Sequence, residues 1–267
     1  MWSGSHLDSV PDGGRFDGTL GVVAALEAAE RTRVPLAVVA FRDEERACSG
    51  SRACVASGRL PRAFFEVHVE QGPVLERAGA PLGIVTSVAG VARGERVFEG
   101  RADHAGTTPM DARDDALVRA AEFVLHVART PAPGTVATVG RLAVEPGVAN
   151  VVPARVAVTV DARAGTLEEL EALVAAIGFE PSYRASPASM SGPPLAALRA
   201  ALPGALELVS GAGHDAGILA AAGVPAAMLF VRSLNGGASH SSAELSSAED
   251  VELAVAALTG ALERLAG

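Results

Sequence analysis

Two kinds of strand pattern divide this chain of 267 residues into an outer and an inserted part. The outer part, residues 1–87 and 190–267, alternates helical stretches with short continuous apolar runs such as PLAVVAF (35–41). Such runs are typical of strands buried on both faces of a mostly parallel sheet. The strands of the inserted part, residues 88–189, alternate apolar and polar residues in a β-α-β-β-α-β order. The pattern predicts an α/β fold with a mixed, mostly parallel sheet and a smaller inserted α+β domain.

Individual elements follow from spacing and end signals. Apolar residues at helical spacing predict helices over 19–31, 115–128, 166–178 and the C-terminal stretch SSAEDVELAVAALTGALERLA. The helix over 166–178 ends at Gly178, as C-capping requires. The segment SPASMSGPP (186–194) is rich in Ser, Pro and Gly and is predicted to be a hinge or linker.

Composition narrows the class of function. Half of the residues are hydrophobic (49%), which excludes a disordered chain, and no apolar run is long enough to cross a bilayer. The net charge of -9 without any basic block argues against nucleic acid and acidic membranes as partners. We find no signal peptide, and Cys48 and Cys54 do not form a disulfide framework. These features together predict a cytoplasmic protein.

Histidines and carboxylates gather with glycine at the ends of predicted strands. The groups are His6 with Asp17, DEE at 43–45, HVEQGP at 68–73, and ASHSSAE at 238–244. Imidazole and carboxylate ligands without thiolates favour Zn²⁺, Mn²⁺, Co²⁺ or Ni²⁺ over Mg²⁺ or Ca²⁺. Such ligands with one shared carboxylate are typical of a two-metal hydrolytic site.

Four carboxylates near these strand ends have specific candidate roles. Asp8 follows His6 by two residues and is placed to accept the second ring N–H of that histidine. Adjacent Glu44 and Glu45 suit a division of labour in which one binds metal and the other takes a proton from water; the alternative is a solvated strand end. Asp17, taken alone, is equally consistent with a helix N-cap or a turn residue.

Several motifs together resemble one family. They are GSHLDSVPDGGRFDGTLGV, DEE, HVEQGPVLE, HAGTTPMDARDDAL, VANVVPARVAVTVDAR, SGAGHDA and GASHSSAE. In this order they are similar to those of N-carbamoyl-L-amino-acid hydrolases and allantoate amidohydrolases. These enzymes form the ureido-cleaving branch of the di-metal aminoacylase and carboxypeptidase superfamily. The combination of HVEQGP with HAGTTPM distinguishes this branch from the peptidase branches.

The resemblance implies two divalent metal ions, Zn²⁺ first, with Mn²⁺, Co²⁺ or Ni²⁺ as alternatives. Asp17 would bridge both ions, His6 and His68 would complete one set of ligands, and Glu45 and His240 would complete the other. Glu44 would be the general base, and Asp8 would support catalysis beside His6. The reaction implied is hydrolysis of a ureido or amide C–N bond in a small-molecule substrate.

The resemblance also assigns residues of the inserted domain, which would act as a lid and pair with its copy in a homodimer. His104 would polarise the substrate carbonyl oxygen in the site of the second chain. Asn150 and Arg163 would hold the substrate carboxylate, although Arg163 alone could equally be a surface strand residue. Gln71 and His214 of the outer part would line the pocket.

Two features depart from this family. Family members are longer and have an apolar strand before the position of His6, where this chain has only MWS. They also have a longer helical stretch between the positions of Glu45 and His68. We therefore expect either weakened metal binding on the His6 side or an oligomer contact that compensates for it. A degenerate homologue that binds without turnover, or a related deacylase or dipeptidase, are the alternative functions.

Overall fold

The computed structural model describes residues 1–267, which form two compact units. One unit comprises Met1–Val88 and Ala188–Gly267, and the other comprises Ala89–Pro187. The elements before the second unit are β1 (Trp2–His6), α1 (Thr19–Arg31), β2 (Ala37–Phe41), α2 (Ser49–Ala56), β3 (Phe64–Val69), α3 (Val74–Ala78) and β4 (Leu82–Val88). Those of the second unit are β5 (Gly90–Glu99), α4 (Ala116–Arg129), β6 (Val136–Glu145), β7 (Arg155–Ala164), α5 (Leu167–Ile177) and β8 (Pro181–Ala185). After it come β9 (Ala188–Ser189), α6 (Pro193–Ala201), β10 (Leu206–Ser210), α7 (Asp215–Ala221), β11 (Ala226–Val231) and α8 (Ala248–Ala266).

The sheet of the first unit is mixed and mostly parallel, which confirms the predicted fold class. Its strand order is β10-β4-β11-β3-β1-β2, and β9 pairs with β4 outside this path. The pairs β1–β2, β1–β3, β3–β11 and β4–β10 are parallel, whereas β11–β4 and β4–β9 are antiparallel. The carboxyl ends of the parallel strands β1 and β3 therefore meet at one edge of the sheet.

The core of the first unit lies along its central strands. Every residue of β3 and β11 is buried, and Phe64, Phe65 and Met228 are almost completely sealed from solvent. Leu258 and Leu262 of α8 join the same apolar cluster. Full burial of a side chain of this size contributes about 1.5–3 kcal/mol, so the central strands form the rigid base of the site.

The second unit has the predicted β-α-β-β-α-β order and an antiparallel sheet with strand order β6-β7-β5-β8. Its helices have clear end signals. Asp115 caps α4 by accepting hydrogen bonds from two backbone N–H groups, and Thr166 and Glu169 form a capping box at the start of α5. Gly178 ends α5 in the left-handed conformation (φ 75°).

One expectation about local structure was wrong, and another was right only in part. The run PLAVVAF contains β2, but β2 has only β1 as a neighbour, so this edge strand is largely accessible, and Phe41 is its one buried residue. The segment SPASMSGPP contains the junction between the two units, at Pro187 and Ala188, as expected of a linker, but it also contains β9 and the buried Met190, and its prolines begin α6. No helix of the structure is both long enough and apolar enough to cross a membrane.

Candidate metal centre

Three side chains form a first ligand set at the edge where β1 and β3 end. His6 is the last residue of β1, His68 lies near the end of β3, and Asp17 precedes α1. The Nε2 atoms of His6 and His68 are 3.3 Å apart, and Asp17 Oδ1 lies 3.5 Å from the first and 3.1 Å from the second. At most 3% of each residue is exposed. The first ligand set therefore presents two imidazoles and a carboxylate to one point.

A second ligand set uses the other oxygen of Asp17. His240 Nε2 lies 3.3 Å from Asp17 Oδ2 and 3.5 Å from Glu45 Oε2. Within each of the two sets the candidate ligand atoms lie within 4.8 Å of one another, and Asp17 is common to both. The structure thus brings together all five side chains for which metal binding was predicted from the sequence.

Hydrogen bonds orient both imidazoles of the first set. His6 Nδ1 lies 2.9 Å from the carbonyl oxygen of Asp8, and His68 Nδ1 lies 2.9 Å from the carbonyl oxygen of Val69. Since a carbonyl oxygen only accepts, each ring carries a proton on Nδ1. The Nε2 atoms are then the ones directed to a cation, which is how metal-binding histidines are usually held.

The carboxylate of Asp8 has a different position from the one predicted. Its nearer oxygen is 3.7 Å from His6 Nδ1, so the backbone carbonyl, and not the carboxylate, is the closer partner of the ring. The two carboxylate oxygens instead accept hydrogen bonds from the backbone N–H groups of Glu44 and Glu45, each at 3.2 Å. Asp8 therefore orients His6 through its backbone and holds the DEE turn through its side chain.

The ionisation of the first set indicates a site built for cations. Burial alone would lower the pKa of His6, but the hydrogen bond to Asp17 and the charges of Glu44 and Asp17 outweigh it and raise the pKa to about 10. Burial would also lower the pKa of His68, but the hydrogen bond to Asp17 outweighs it, so the pKa of His68 is raised. Hydrogen bonds from both rings hold the pKa of Asp17 well below its usual range despite burial. Protons here neutralise a carboxylate that bound metal would neutralise instead.

Glu44 is a buried carboxylate beside the first ligand set. The residue is 9% exposed, its Oε2 lies 3.7 Å from His6 Nε2, and its Oε1 accepts a hydrogen bond from the Cys48 thiol at 3.7 Å. Burial raises the pKa of Glu44 to about 7, against the opposing charges of His6 and His68. A general base needs a pKa near the working pH.

The two predicted pocket residues of the first unit differ in their exposure. Gln71 Nε2 donates to Asp17 Oδ2 at 3.0 Å and lies 3.4 Å from His240 Nε2, so it contacts the second ligand set directly. His214 is only 1% exposed, bonds Ser210 Oγ at 2.7 Å, and packs its ring 4.5 Å from that of His68. His214 was expected to line the pocket. Its ring is instead buried and packs against the ring of His68.

His104 and Asn150 lie close together in the second unit. His104 pairs with Val151 in an isolated β-bridge, and Ala105 N–H donates to the carbonyl oxygen of Asn150 at 3.0 Å. His104 is exposed, and its Nδ1 accepts the N–H of Gly106 at 3.0 Å. The neutral ring therefore carries its proton on Nε2, which leaves a hydrogen-bond donor at the tip of the side chain.

Arg163 lies at the opposite end of β7 from Asn150. The strand runs from Arg155 to Ala164, which at about 3.3 Å per residue separates its two ends by roughly 30 Å. The guanidinium of Arg163 donates from Nε and Nη2 to the carboxylate of Asp161, at 2.8 and 3.2 Å, and Arg93 binds the same carboxylate. Asn150 and Arg163 were expected to hold the substrate carboxylate together. Within one chain they lie too far apart to bind the same carboxylate.

Sequence reasoning did not identify Glu244 as part of this centre. This buried carboxylate accepts hydrogen bonds from the backbone N–H groups of Phe16 and Asp17, and from the hydroxyl of Ser239. The motif GASHSSAE contained it, but only the folded chain brings residue 244 to residue 17. The same contact explains why residue 14 is a glycine, because a Cβ there would lie 2.1 Å from Glu244 Oε1.

The donor groups fit divalent transition metals. Imidazole nitrogens and carboxylate oxygens are the preferred ligands of Zn²⁺ and its neighbours. Glu45 Oε1 is buried without a hydrogen-bond partner, which a cation would satisfy. A cavity of about 570 Å³ lies in the second unit, but no residue lining it belongs to the predicted site.

Comparisons with known proteins agree with this geometry. Residues 2–264 match peptidase family M20/M25/M40. The chain is 36% identical to an N-carbamoyl-L-amino-acid amidohydrolase of Paenarthrobacter aurescens, with 93% of this chain and 77% of that protein covered. It is 34% identical to an allantoate amidohydrolase of Bacillus subtilis (strain 168), with 99% and 80% covered. A crystal structure of a hydantoinase/carbamoylase family amidase from Burkholderia multivorans superposes with a TM-score of 0.89 at 30% identity, over 100% of this chain and 81% of that one.

Proposed function

The chain belongs to peptidase family M20/M25/M40 and is a metal-dependent hydrolase, and from this premise we propose that it cleaves the C–N bond of a ureido acid. The substrate class would be an N-carbamoyl amino acid or an allantoate-like compound, as the names of its relatives suggest. The observation that carries the proposal is Asp17, whose two oxygens face two ligand sets beside the buried carboxylate of Glu44.

We propose that the two sets hold two divalent ions, with Zn²⁺ as the first candidate and Mn²⁺, Co²⁺ or Ni²⁺ as alternatives. His6, Asp17 and His68 would hold one ion, and Asp17, Glu45 and His240 would hold the other. When bound, such ions polarise a carbonyl group and lower the pKa of water. Gln71 would have to release Asp17 Oδ2 as the second set fills, because its amide now bonds that oxygen.

Glu44 would move the proton. Its Oε1 accepts a hydrogen bond from the Cys48 thiol and its Oε2 lies beside His6, so Oε2 would be the oxygen that accepts a proton from the attacking water. The proton would then pass to the leaving nitrogen as the C–N bond breaks. With a carbamoyl substrate, the products would be an amino acid, ammonia and carbon dioxide.

His104 would assist at the substrate carbonyl. Its Nδ1 is occupied by the N–H of Gly106, so Nε2–H is the group that would donate to the carbonyl oxygen. The planar fork of Arg163 suits a substrate carboxylate, to which Asn150 would add a hydrogen bond. Because Asn150 and Arg163 lie at opposite ends of β7, this arrangement requires two chains, and we propose a homodimer that pairs through the second units.

The comparisons support hydrolysis and give no support to the alternative of a binding module without turnover. A deacylase or dipeptidase activity uses the same bond chemistry, so the substrate test includes it. We further propose a cytoplasmic location, supported by the two free cysteines, Cys48 and Cys54.

The test measures product release from four substrate classes by protein loaded with Zn²⁺ or Mn²⁺. The classes are N-carbamoyl-L-amino acids, allantoate, N-acetyl amino acids and dipeptides, and ammonia or free amino acid is the readout. We expect turnover of a ureido substrate that chelator abolishes and added metal restores. Protein that holds two ions per chain but turns over no ureido substrate would contradict the proposal.

A further inference from the structure

Glu244 joins two loops that lie far apart in sequence. Its Oε1 accepts the backbone N–H groups of Phe16 and Asp17, at 2.8 and 2.9 Å, and its Oε2 accepts the hydroxyl of Ser239 at 3.1 Å. Asp17 is a candidate ligand in both sets, and Ser239 directly precedes His240. One side chain therefore connects the backbone of one ligand to the neighbour of another.

The surroundings of Glu244 are built to hold its carboxylate in place. The residue is 5% exposed, and its own N–H closes a turn by donating to the carbonyl oxygen of Ser241 at 3.1 Å. A Cβ at Gly14 would lie 2.1 Å from Oε1 and 2.4 Å from the Cβ of Glu244, so only glycine leaves room for it. Charged acceptors form stronger hydrogen bonds with backbone N–H groups than neutral ones do.

The two ligand sets depend on these loops to different degrees. In the first set, His6 and His68 stand on the paired strands β1 and β3, and Asp17 alone lies on a loop tied by Glu244. In the second set, Asp17 and His240 both lie on loops that Glu244 connects. His240 is exposed and has a positive φ of 52°, so its position depends on the loop around it and little on burial.

We propose that Glu244 is a positioning residue that fixes the distance between Asp17 and His240, and thereby assembles the second ligand set before metal arrives. The inference rests on the proposed function, since it concerns the ions that this function requires. Glu244 bonds the backbone N–H of Asp17 and the hydroxyl of Ser239. Its contribution is to hold the backbone of the Asp17 loop against the Ser239–His240 turn.

The experiment measures metal affinity, which a purely stabilising role would not change selectively. Metal-free wild type, Glu244→Ala, Glu244→Gln and Ser239→Ala are titrated with Zn²⁺ against a chromophoric chelator, and the affinities of the two equivalents are resolved. We expect Glu244→Ala to weaken the second equivalent by roughly 10- to 100-fold, as when the partner of a metal ligand is removed, and the first equivalent less. Ser239→Ala should weaken the same equivalent by a smaller factor.

Glu244→Gln is the conservative control. Its amide oxygen can still accept both backbone N–H groups, and its NH₂ group can donate to Ser239, so it should restore most of the lost affinity. Thermal unfolding of the metal-free proteins measures stability separately. If Glu244→Ala does not fold, the selective effect of Ser239→Ala decides the question.

Two results would overturn the proposal. One is a Glu244→Ala or Ser239→Ala protein with the wild-type ratio of affinities, whatever its thermal stability. If the wild type in that case binds two ions and hydrolyses its substrate, only the role of Glu244 is lost. The other is a wild type that binds fewer than two ions, which would remove the two-metal form of the proposed function as well.

Discussion

His68 Nε2 and Asp17 Oδ1 lie 3.1 Å apart in a region that solvent hardly reaches. A buried imidazole and carboxylate this close share a proton when no metal is present, because an unpaired buried charge is costly. The same two atoms belong to the first ligand set. Metal and proton therefore compete for the same place.

The first prediction follows from that competition. At pH 8 the metal-free protein should release a proton from His6 on binding Zn²⁺, because the hydrogen bond to Asp17 and the charges of Glu44 and Asp17 outweigh burial and raise the pKa of His6 to about 10. Calorimetry in buffers of different ionisation enthalpy measures the release. His126→Ala, on an exposed position of α4, is the control and should release as many protons as the wild type. Equal heats in all buffers would contradict the prediction.

The second prediction concerns the proton carrier. Glu44→Gln should lower kcat by roughly 10²- to 10⁴-fold, the usual contribution of a general base. Metal content should stay unchanged, since Glu44 belongs to neither ligand set. Steady-state kinetics with metal analysis of the same preparation separates the two effects. Retained activity would exclude Glu44 as the base, and loss of metal would assign it a role as a ligand.

The third prediction concerns substrate recognition by Arg163. Hydrogen bonds to charged groups contribute about 1.5–3 kcal/mol, so Arg163→Ala should raise KM by roughly 10- to 150-fold with a smaller change in kcat. Arg163→Lys should recover only part of the affinity, because lysine keeps the charge but lacks the planar fork. The control is a substrate analogue whose carboxylate is replaced by an amide. It should bind wild type, Arg163→Ala and Arg163→Lys equally weakly. Equal KM values for the acid in all three would contradict the assignment.

The fourth prediction concerns the pH dependence of stability in the second unit. Burial would raise the pKa of Asp161, but hydrogen bonds from Arg163 and Arg93 outweigh it and hold the pKa below its ordinary value of 3.8. The ionised carboxylate therefore stabilises the fold above that ordinary value, and the contribution is lost as the pH falls through the lower folded pKa. As the pH is lowered from 7 to below 3.8, the midpoint temperature of thermal unfolding should fall more steeply for wild type than for Asp161→Asn. Parallel curves of midpoint temperature against pH would contradict this.

Much of the centre could be predicted because parallel strands end at one edge of a sheet. His6 and His68 follow directly from this rule, since β1 and β3 are parallel neighbours. Asp17 follows from its glycines and from the helix after it. The role of Asp17 as the carboxylate shared by the two sets was implied by the resemblance to the family and not by the spacing of the residues.

Other features depend on contacts that spacing does not encode. The apolar run of β2 suggests a central strand, yet its burial depends on how many neighbours the sheet provides, and it has one. The helices α2 and α6 were not predicted, because α2 is short and α6 begins in a Pro-rich segment typical of loops. The carboxylates of Asp8 and Glu244 accept hydrogen bonds mainly from backbone N–H groups, which every residue except proline carries and no motif marks.

The length of β7 has a genetic consequence, which is complementation between inactive variants. Suppose that each active site contains His104 and Asn150 from one chain and Arg163 from the other. Substitutions at opposite ends of β7 would then inactivate contributions from different chains. Two inactive variants, mixed after unfolding or expressed together, would then rebuild one whole centre in each mixed pair. Such complementation between defective alleles is a property that a self-contained centre in a single polypeptide cannot have.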